Sequence, residues 1–199
     1  MENENDLDPH SFIVLETLNA FNQRPIKQRV IFQKIIFLTL MNFEKLFRAA
    51  DFKAHLLGPY SSSIEKTTEQ LIKIGEVKIN EDNQFEITNM GIVLLERLRS
   101  SVGEIEELKH IQEFEKSLDY IKKIFIDFTT DEMLAFIYKS YPDFIESSIR
   151  ADELDYENIF IELYKKGKLS VSKIAELMDI SLEDAYEKIK EKVKPAILP

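Results

Sequence analysis

Residues 58–98 decide the fold, and they read GPYSSSIEKTTEQLIKIGEVKINEDNQFEITNMGIVLLERL. A turn is predicted before Pro59, because a residue that precedes proline avoids helical geometry. One of three successive serines can then cap a helix, and Ser62 with Glu65 has the spacing of a capping box. Apolar residues recur at intervals of three and four up to Gly75, which predicts a helix that ends there.

The second half of this stretch has the pattern of a β-hairpin followed by a helix. Val77 and Ile79 alternate with polar residues, as do Phe85 and Ile87, and a polar turn lies between the two pairs. Such alternation is typical of a strand with one buried face. Thr88 can cap the next helix. We therefore expect a helix, a hairpin and a helix in succession.

Outside this stretch, the apolar spacing indicates helices almost throughout. The helix that begins after Pro25 is apolar around most of its circumference, so we expect it to be the most buried one. The polar, acidic segment 147–155 is expected to be a linker. These helices are predicted over residues 9–21, 25–47, 88–98, 102–128, 129–141, 156–166, 171–178 and 182–193. The predicted fold is mainly α with a small β-hairpin.

The longest predicted helix, 102–128, permits two interpretations. It can form a coiled coil with a second copy in a homodimer, or it can pack on its own domain. Its apolar residues step by three between 102 and 114, which does not fit a clean heptad pattern. Both interpretations stay open at this point.

Composition limits the class of protein. The 199 residues suit one compact domain or two small ones, and 44% hydrophobic with 31% charged residues is a globular balance. The content of 5 Gly and 6 Pro disfavours a turn-rich all-β fold. We expect a cytoplasmic protein without membrane contact, because neither a long apolar run nor a secretory signal pattern is visible. The absence of cysteine excludes disulfides, thiolate nucleophiles and cysteine-bound zinc.

The charge is unevenly distributed along a chain whose net charge is −10. Residues 1–23 have 5 acidic and no basic residues, and residues 101–199 have 22 acidic and 14 basic ones. Residues 24–100 have 12 basic and 9 acidic ones. Only this middle segment, with its net charge of +3, is therefore expected to attract phosphate groups.

No residue pattern indicates catalysis, a cofactor or a metal ion. His10, His55 and His110 are far apart in the sequence, and none has a second ligand at helical spacing. The acidic residues at 152–157 lack the spacing of a calcium-binding loop. Nucleotide-binding glycine motifs and the nucleophile elbow are absent from the sequence. We therefore do not expect an enzyme.

The order of elements over residues 9–100 resembles the winged-helix DNA-binding domains of prokaryotic regulators. A Ser/Thr-rich helix leads through a glycine into a hairpin, and the segment Phe-x-Ile-Thr-x-x-Gly at 85–91 enters the next helix. The stretch HLLGPYSSSIEKTTEQLIKIGEV also looks like prokaryotic domains of the toxin–antitoxin and regulator group. The resemblance implies a winged-helix N-terminal domain over 1–101, a long helix with a packing helix over 102–148, and an all-α helix-turn-helix-like segment over 149–199.

The resemblance also implies which residues contact duplex DNA. The third helix of a winged helix enters the major groove, which is about 12 Å wide, and needs polar, non-acidic side chains there. Glu65 and Glu69 on this helix, and Glu81 and Asp82 in the hairpin, oppose the approach of phosphate. The candidate DNA-binding residues are Tyr60, Ser61, Ser62, Lys66, Thr67, Gln70, Lys73, Lys78, Asn80, Asn83 and Gln84.

The C-terminal stretch KGKLSVSKIAELMDISLEDAYEKIKEK, residues 166–192, resembles a helix-turn-helix unit and short antitoxin segments. Ser170 and Ser181 are expected to cap its last two helices. In such a unit the last helix normally reads bases, but here Glu183 and Asp184 in its first turn repel phosphate. An interaction or dimerisation role is therefore favoured for this segment.

Taken together, these patterns favour a DNA-binding transcription regulator. Its acidic helical half would form a homodimer or bind a basic protein partner. The alternative is a protein-interaction module, such as an antitoxin or an accessory subunit, that does not bind DNA.

Overall fold

The computed structural model describes residues 9–101 and 111–193. Within them the fold is mainly helical, as expected, and contains one small antiparallel sheet. No helix in these two ranges has the length and apolar character needed to cross a lipid bilayer. The helices are α1 (Pro9–Ala20), α2 (Arg29–Leu40), α3 (Glu44–Ala50), α4 (Ser62–Lys73), α5 (Asn89–Ser101), α6 (Ile111–Phe125), α7 (Thr130–Ser140), α8 (Tyr156–Lys165), α9 (Val171–Met178) and α10 (Leu182–Lys192).

The sheet has three strands in the order β1-β3-β2. These are β1 (Ile26–Lys27), β2 (Val77–Ile79) and β3 (Gln84–Ile87). Phe85 of β3 pairs with Ile26 on one side and with Ile79 on the other. The predicted hairpin is confirmed, and its turn includes Asn83 in the left-handed region, with φ of 59°. Strand β1 was not predicted, because a two-residue strand leaves no visible alternation in a sequence.

The chain forms two compact units. Unit 1 comprises Met1–Lys53 and Pro59–Asp127, and unit 2 comprises Ala54–Gly58 and Phe128–Pro199. These boundaries differ from the expected divisions after residues 101 and 148. The physical reason is that α6 packs against α1 and α2 and so belongs to unit 1.

Helix α2 is the most buried helix of unit 1. All nine residues from Phe32 to Leu40 are buried, as expected for the most apolar helix. Around it, α1 contacts α4, α5 and α6, and the ring of Phe12 lies 5.8 Å from that of Phe114 on α6. The ring of Phe32 stacks on Phe85 at 5.4 Å, which joins the helical core to the sheet.

The prediction of a single helix over 25–47 is wrong, because this segment forms β1, α2 and α3. Ile26 pairs with β3, so its backbone forms hydrogen bonds with the sheet. The backbone of Gln28 then lies outside helical geometry, with φ of 67°. A second break precedes α3, where Phe43 has φ of −129° and ψ of 79°. The apolar periodicity continued through both breaks because all three pieces bury one side in the same core.

The described part of the long helix 102–128 is α6, and its first nine residues lie outside the described ranges. Phe114, Leu118, Ile121 and Phe125 are buried, and α6 packs on α1 and α2. The described apolar face of this helix is thus covered within unit 1, which favours packing on its own domain over a coiled coil.

Unit 2 is built from short helices with well-defined N-caps. Thr129 and Glu132 form the predicted capping box at the start of α7. Ser170 and Ser181 cap α9 and α10, also as predicted. The segment expected to be a linker contains a 3-10 turn at Ala151–Glu153 and leads to Asp155, which caps α8.

Candidate nucleic-acid interface

Ser61 fixes the start of α4. It is fully buried, and its hydroxyl accepts from the amide of Ile64 and donates to the carbonyl of Ala50. The amide of Ser61 donates to Oε1 of Gln33 at 3.1 Å, and Nε2 of Gln33 donates to the carbonyl of Ser61 at 3.2 Å. Ser61 rather than Ser62 is therefore the N-cap. The expectation that Ser61 contacts DNA is wrong in this arrangement, because its side chain has no access to the surface.

A buried lysine holds the turn that precedes this cap. Lys34 on α2 donates from Nζ to the carbonyl of Pro59 at 2.8 Å, and only 2% of its surface is exposed. Burial lowers the pKa of Lys34 to about 7, because the charged ammonium loses its hydration there. The adjacent residues Gln33 and Lys34 thus position the turn and the N-cap of α4.

Helix α4 presents four of the candidate residues along one exposed line. Ser62, Lys66 and Gln70 follow each other at intervals of four, and Lys73 lies three residues further, so these side chains share one side of the helix. We call this set the α4 polar face. Within the described residues, neither Lys66 nor Lys73 has an ion pair. These four side chains carry two positive charges, one hydroxyl and one amide. The exposed carboxylate of Glu69 lies on the same side of the helix, three residues after Lys66 and four before Lys73.

Thr67 does not belong to the α4 polar face. It is 5% exposed, like Thr68 on the same inner side of the helix, which is 2% exposed. The prediction that Thr67 contacts DNA is therefore wrong in this arrangement. Its position between two polar neighbours in the sequence made it resemble a surface residue, whereas its phase on the helix places it next to the core.

Arg29 pairs with both acidic residues of α4. Its guanidinium forms an ion pair with Glu65, and its Nη1 lies 3.1 Å from an oxygen of Glu69. The same guanidinium carbon lies 5.9 Å from the centre of the Phe85 ring on β3. The two carboxylates expected to repel phosphate are thus partly neutralised by a residue at the start of α2.

The hairpin is less favourable to phosphate than α4. Lys78 forms a 2.9 Å ion pair with Glu86, and this pair together with the Asn80 side chain lowers the pKa of Glu86. The oxygen of the Asn80 side chain accepts from the amides of Asp82 and Gln84, both at 3.0 Å, so Asn80 organises the turn. Asn83 is exposed at the tip.

Gln84 and Tyr60 are the two remaining candidate residues, and both are half-buried. Gln84 is half-buried on β3 and its side-chain oxygen accepts from Asn80 at 2.9 Å. Tyr60 is half-buried, and its main chain exchanges two 2.9 Å hydrogen bonds with Lys53. The Lys53 contact fixes the backbone directly before the N-cap of α4, and the Asn80 contact lies within the hairpin.

Two basic residues of this region were missed from the sequence. Arg29 reaches α4, and Lys27 is exposed on β1 in register with Gln84. Both lie in the run Lys27-Gln28-Arg29, which the apolar periodicity placed in the interior of a helix. The signal that could have identified them is the polar character of this run, which contrasts with the apolar residues that follow.

The described ranges contain no group of three or more histidine or acidic residues placed to hold a metal ion. The groups brought together here are hydroxyls, amides and ammonium ions. These groups can donate hydrogen bonds to phosphate oxygens and to the edges of bases. Comparison of the chain with models of known protein families and with curated proteins gives no match in either case.

Proposed function

We propose that unit 1 is a winged-helix domain that binds duplex DNA and acts in transcription regulation. In this proposal α4 enters the major groove and the hairpin β2–β3 is the wing. The strand order β1-β3-β2, with α4 leading directly into β2, supports this proposal. The fold alone does not imply DNA binding, so the proposal depends on the surface of α4.

The observation that carries the proposal is the charge arrangement on α4. Lys66 and Lys73 are exposed on the α4 polar face, while Glu65 and Glu69 are paired with Arg29. Lysine ammonium groups contact phosphates whatever the base sequence of the DNA. The hydroxyl of Ser62 and the side-chain amide of Gln70 can form hydrogen bonds with base edges. Together with Arg29, α4 therefore has three basic and two acidic side chains, on a chain of net charge −10, and this local excess supports the proposal.

The experiment is a fluorescence anisotropy titration of the full chain with a labelled random-sequence duplex, at several salt concentrations. The variant Lys66→Gln/Lys73→Gln should bind more weakly, and its slope of log K against log salt should fall by about two. The matched control Lys116→Gln/Lys190→Gln removes two exposed lysines that lie on other helices, α6 and α10. Equal losses in both variants, or no binding by the unmodified chain at low salt, would contradict the proposal.

A second candidate is a protein-interaction module without DNA binding. Two observations favour it: Lys78 on the hairpin is already paired with Glu86, and residues 128–193 have fifteen acidic and nine basic residues. A hairpin that has no unpaired cation makes few phosphate contacts. Co-purification of a stoichiometric partner, together with absence of duplex binding in the titration above, would favour this candidate.

Dimerisation is the remaining part of the proposal. Regulators of this class commonly pair so that two recognition helices meet successive half-sites about 34 Å apart. Sedimentation equilibrium of the full chain, with and without a duplex that holds two half-sites, tests this part independently of the α4 variants.

A further inference from the structure

The outer side of α10 combines an apolar stripe with an acidic ridge. Leu182 and Tyr186 are one helical turn apart, and each is 57% exposed although both are large and apolar. Beside them, Glu183, Glu187 and Glu191 follow each other at intervals of four and are all exposed. We call these five residues the α10 outer face. The buried residues Ala185 and Ile189 lie three residues after Leu182 and Tyr186, on the adjacent side of the helix, where α10 packs against α9.

The lysines of α10 neutralise only part of this face. Lys188 and Lys192 both form ion pairs with Glu157 on α8, with Nζ to carboxylate distances of 2.6 Å and 3.1 Å. Lys190 is the remaining lysine of the helix, and it lies 3.4 Å from Glu187. Three glutamates therefore face outward with a single lysine among them, and Asp184 adds a further exposed carboxylate.

We propose that the α10 outer face is the docking site for a basic amphipathic helix of a partner protein. Aligned apolar side chains at an interval of four fit the ridges of another helix, and tyrosine is among the residues that contribute most at interfaces. The acidic ridge pairs with lysine or arginine on the flanks of the incoming helix.

Charge excludes two other occupants of this face. Two copies of α10 would bring two acidic ridges together, which costs free energy through like-charge repulsion. Duplex or single-stranded nucleic acid would bring phosphates against the same carboxylates. This inference concerns unit 2 and does not depend on DNA binding by α4.

The test uses the full chain, labelled with nitrogen-15, and a synthetic peptide of fourteen leucine and lysine residues with the leucines on one helical side. A second peptide with glutamate in place of lysine is the charge control. The lysine peptide should shift amide signals of residues 182–191, and the glutamate peptide should not. Shifts spread over both units, or no shifts, would overturn the proposal.

Variants separate this site from general attraction between opposite charges. Glu183→Lys/Glu187→Lys and Leu182→Ala/Tyr186→Ala should each weaken binding of the lysine peptide by about tenfold or more. The matched control Asp143→Lys/Glu146→Lys makes the same charge change at two other exposed acids of unit 2 and should lose less than about threefold. Equal losses would overturn the proposal, and so would a dimer of the unmodified chain that Leu182→Ala/Tyr186→Ala converts to a monomer. All four altered residues in the test variants are exposed, so circular dichroism should show an unchanged fold.

Discussion

The side-chain amide of Gln33 binds both main-chain groups of Ser61, accepting from its amide at 3.1 Å and donating to its carbonyl at 3.2 Å. A residue in the most buried helix thus satisfies the backbone of the N-cap residue of the helix proposed to read DNA. The orientation of α4 is set by this contact together with the Ser61 cap and the bond from Lys34 to Pro59. The α4 polar face is consequently held on a rigid support.

Replacing Gln33 with leucine should destabilise unit 1. The substitution leaves the amide of Ser61 buried without a partner, at roughly 1–3 kcal/mol. It also removes one of the two hydrogen bonds of the Ser61 carbonyl, which still accepts from the amide of Glu65 at 3.1 Å and loses about 1 kcal/mol. We expect a loss of about 2–4 kcal/mol in the free energy of unfolding, measured by urea denaturation. Gln70→Ala is the control, because Gln70 is exposed on α4 and its removal should change stability by less than about 0.5 kcal/mol. Similar losses in the two variants would contradict the role given to Gln33.

Lys34 should make stability depend on pH above neutrality. Burial lowers its pKa to about 7 in the folded protein, whereas an unfolded chain has a lysine pKa of about 10.4. Between these values the unfolded chain binds more protons, so the free energy of unfolding should rise with pH by at most about 1.4 kcal/mol per unit. Below pH 7 Lys34 is protonated in both states, and this contribution becomes constant.

The variant Lys34→Met isolates this effect, because it keeps the length of the side chain and removes the titrating group. Urea unfolding of both proteins at several pH values from 6 to 9 gives the difference in their free energies of unfolding. Between pH 7 and pH 9 the free energy of unfolding of the unmodified protein should rise relative to that of Lys34→Met. A difference that is flat over this range would show that Lys34 does not titrate there.

The carboxylates of α4 should control DNA affinity in the opposite sense to its lysines. Glu69→Gln removes a negative charge beside the α4 polar face, so we expect duplex affinity to rise by about twofold to fivefold at low salt. Arg29→Gln leaves Glu65 and Glu69 without their counter-ion and should lower the affinity by a similar factor.

The same anisotropy titration measures these changes. Asp119→Asn supplies the comparison, since it removes one exposed negative charge from α6 without altering α4. Changes of the same size in Asp119→Asn and Glu69→Gln would show that only the total charge of the chain matters.

Gly91 should tolerate no side chain, although it lies inside α5. A Cβ at this position would be 2.2 Å from the carbonyl oxygen of Glu76 and 2.8 Å from the Ile87 side chain. Replacing a helical glycine with alanine normally adds about 1 kcal/mol of stability, but here the clash should cost about 1–3 kcal/mol instead. Thermal unfolding of Gly91→Ala measures the sign of the change.

Gly75 provides the contrast, because an added Cβ there has no atom within 4 Å but the backbone has φ of 82°. Gly75→Ala should lose about 1–2 kcal/mol through its left-handed backbone, and Gly75→Asn should recover part of this loss. Gly91→Asn should be at least as unstable as Gly91→Ala. Recovery by asparagine at both positions would show that backbone conformation, and not contact with Glu76, governs Gly91.

Much of the fold was predictable because local signals agree with the final packing. Alternation around Val77 and Phe85 indicates the hairpin, and serine and threonine caps at Thr129, Ser170 and Ser181 mark helix starts. Each of these signals lies within a few residues of the structure that it specifies. The burial of Phe32–Leu40 follows in the same way from a helix without a polar side.

The errors arose where distant residues decide the structure. Ile26 leaves helical geometry because β3, nearly sixty residues later, supplies its hydrogen-bond partner. Ser61 rather than Ser62 caps α4 because Ala50 and Gln33 bury it, and Arg29 pairs with the two glutamates of α4. Such pairings form only in the assembled core. The periodicity of apolar residues within a window of about a dozen residues does not predict them.

Residues 54–58 belong to unit 2 although unit 1 surrounds them in the sequence, and the amide of Ile149 donates to the carbonyl of Leu56 at 3.1 Å. Neither unit can therefore be excised as one continuous fragment. A chain truncated after Asp127 would retain a pentapeptide whose proper neighbours had been deleted, and a fragment beginning at Phe128 would lack it. Circular permutation or co-expression of complementary fragments would be required to obtain each half with its full complement of residues.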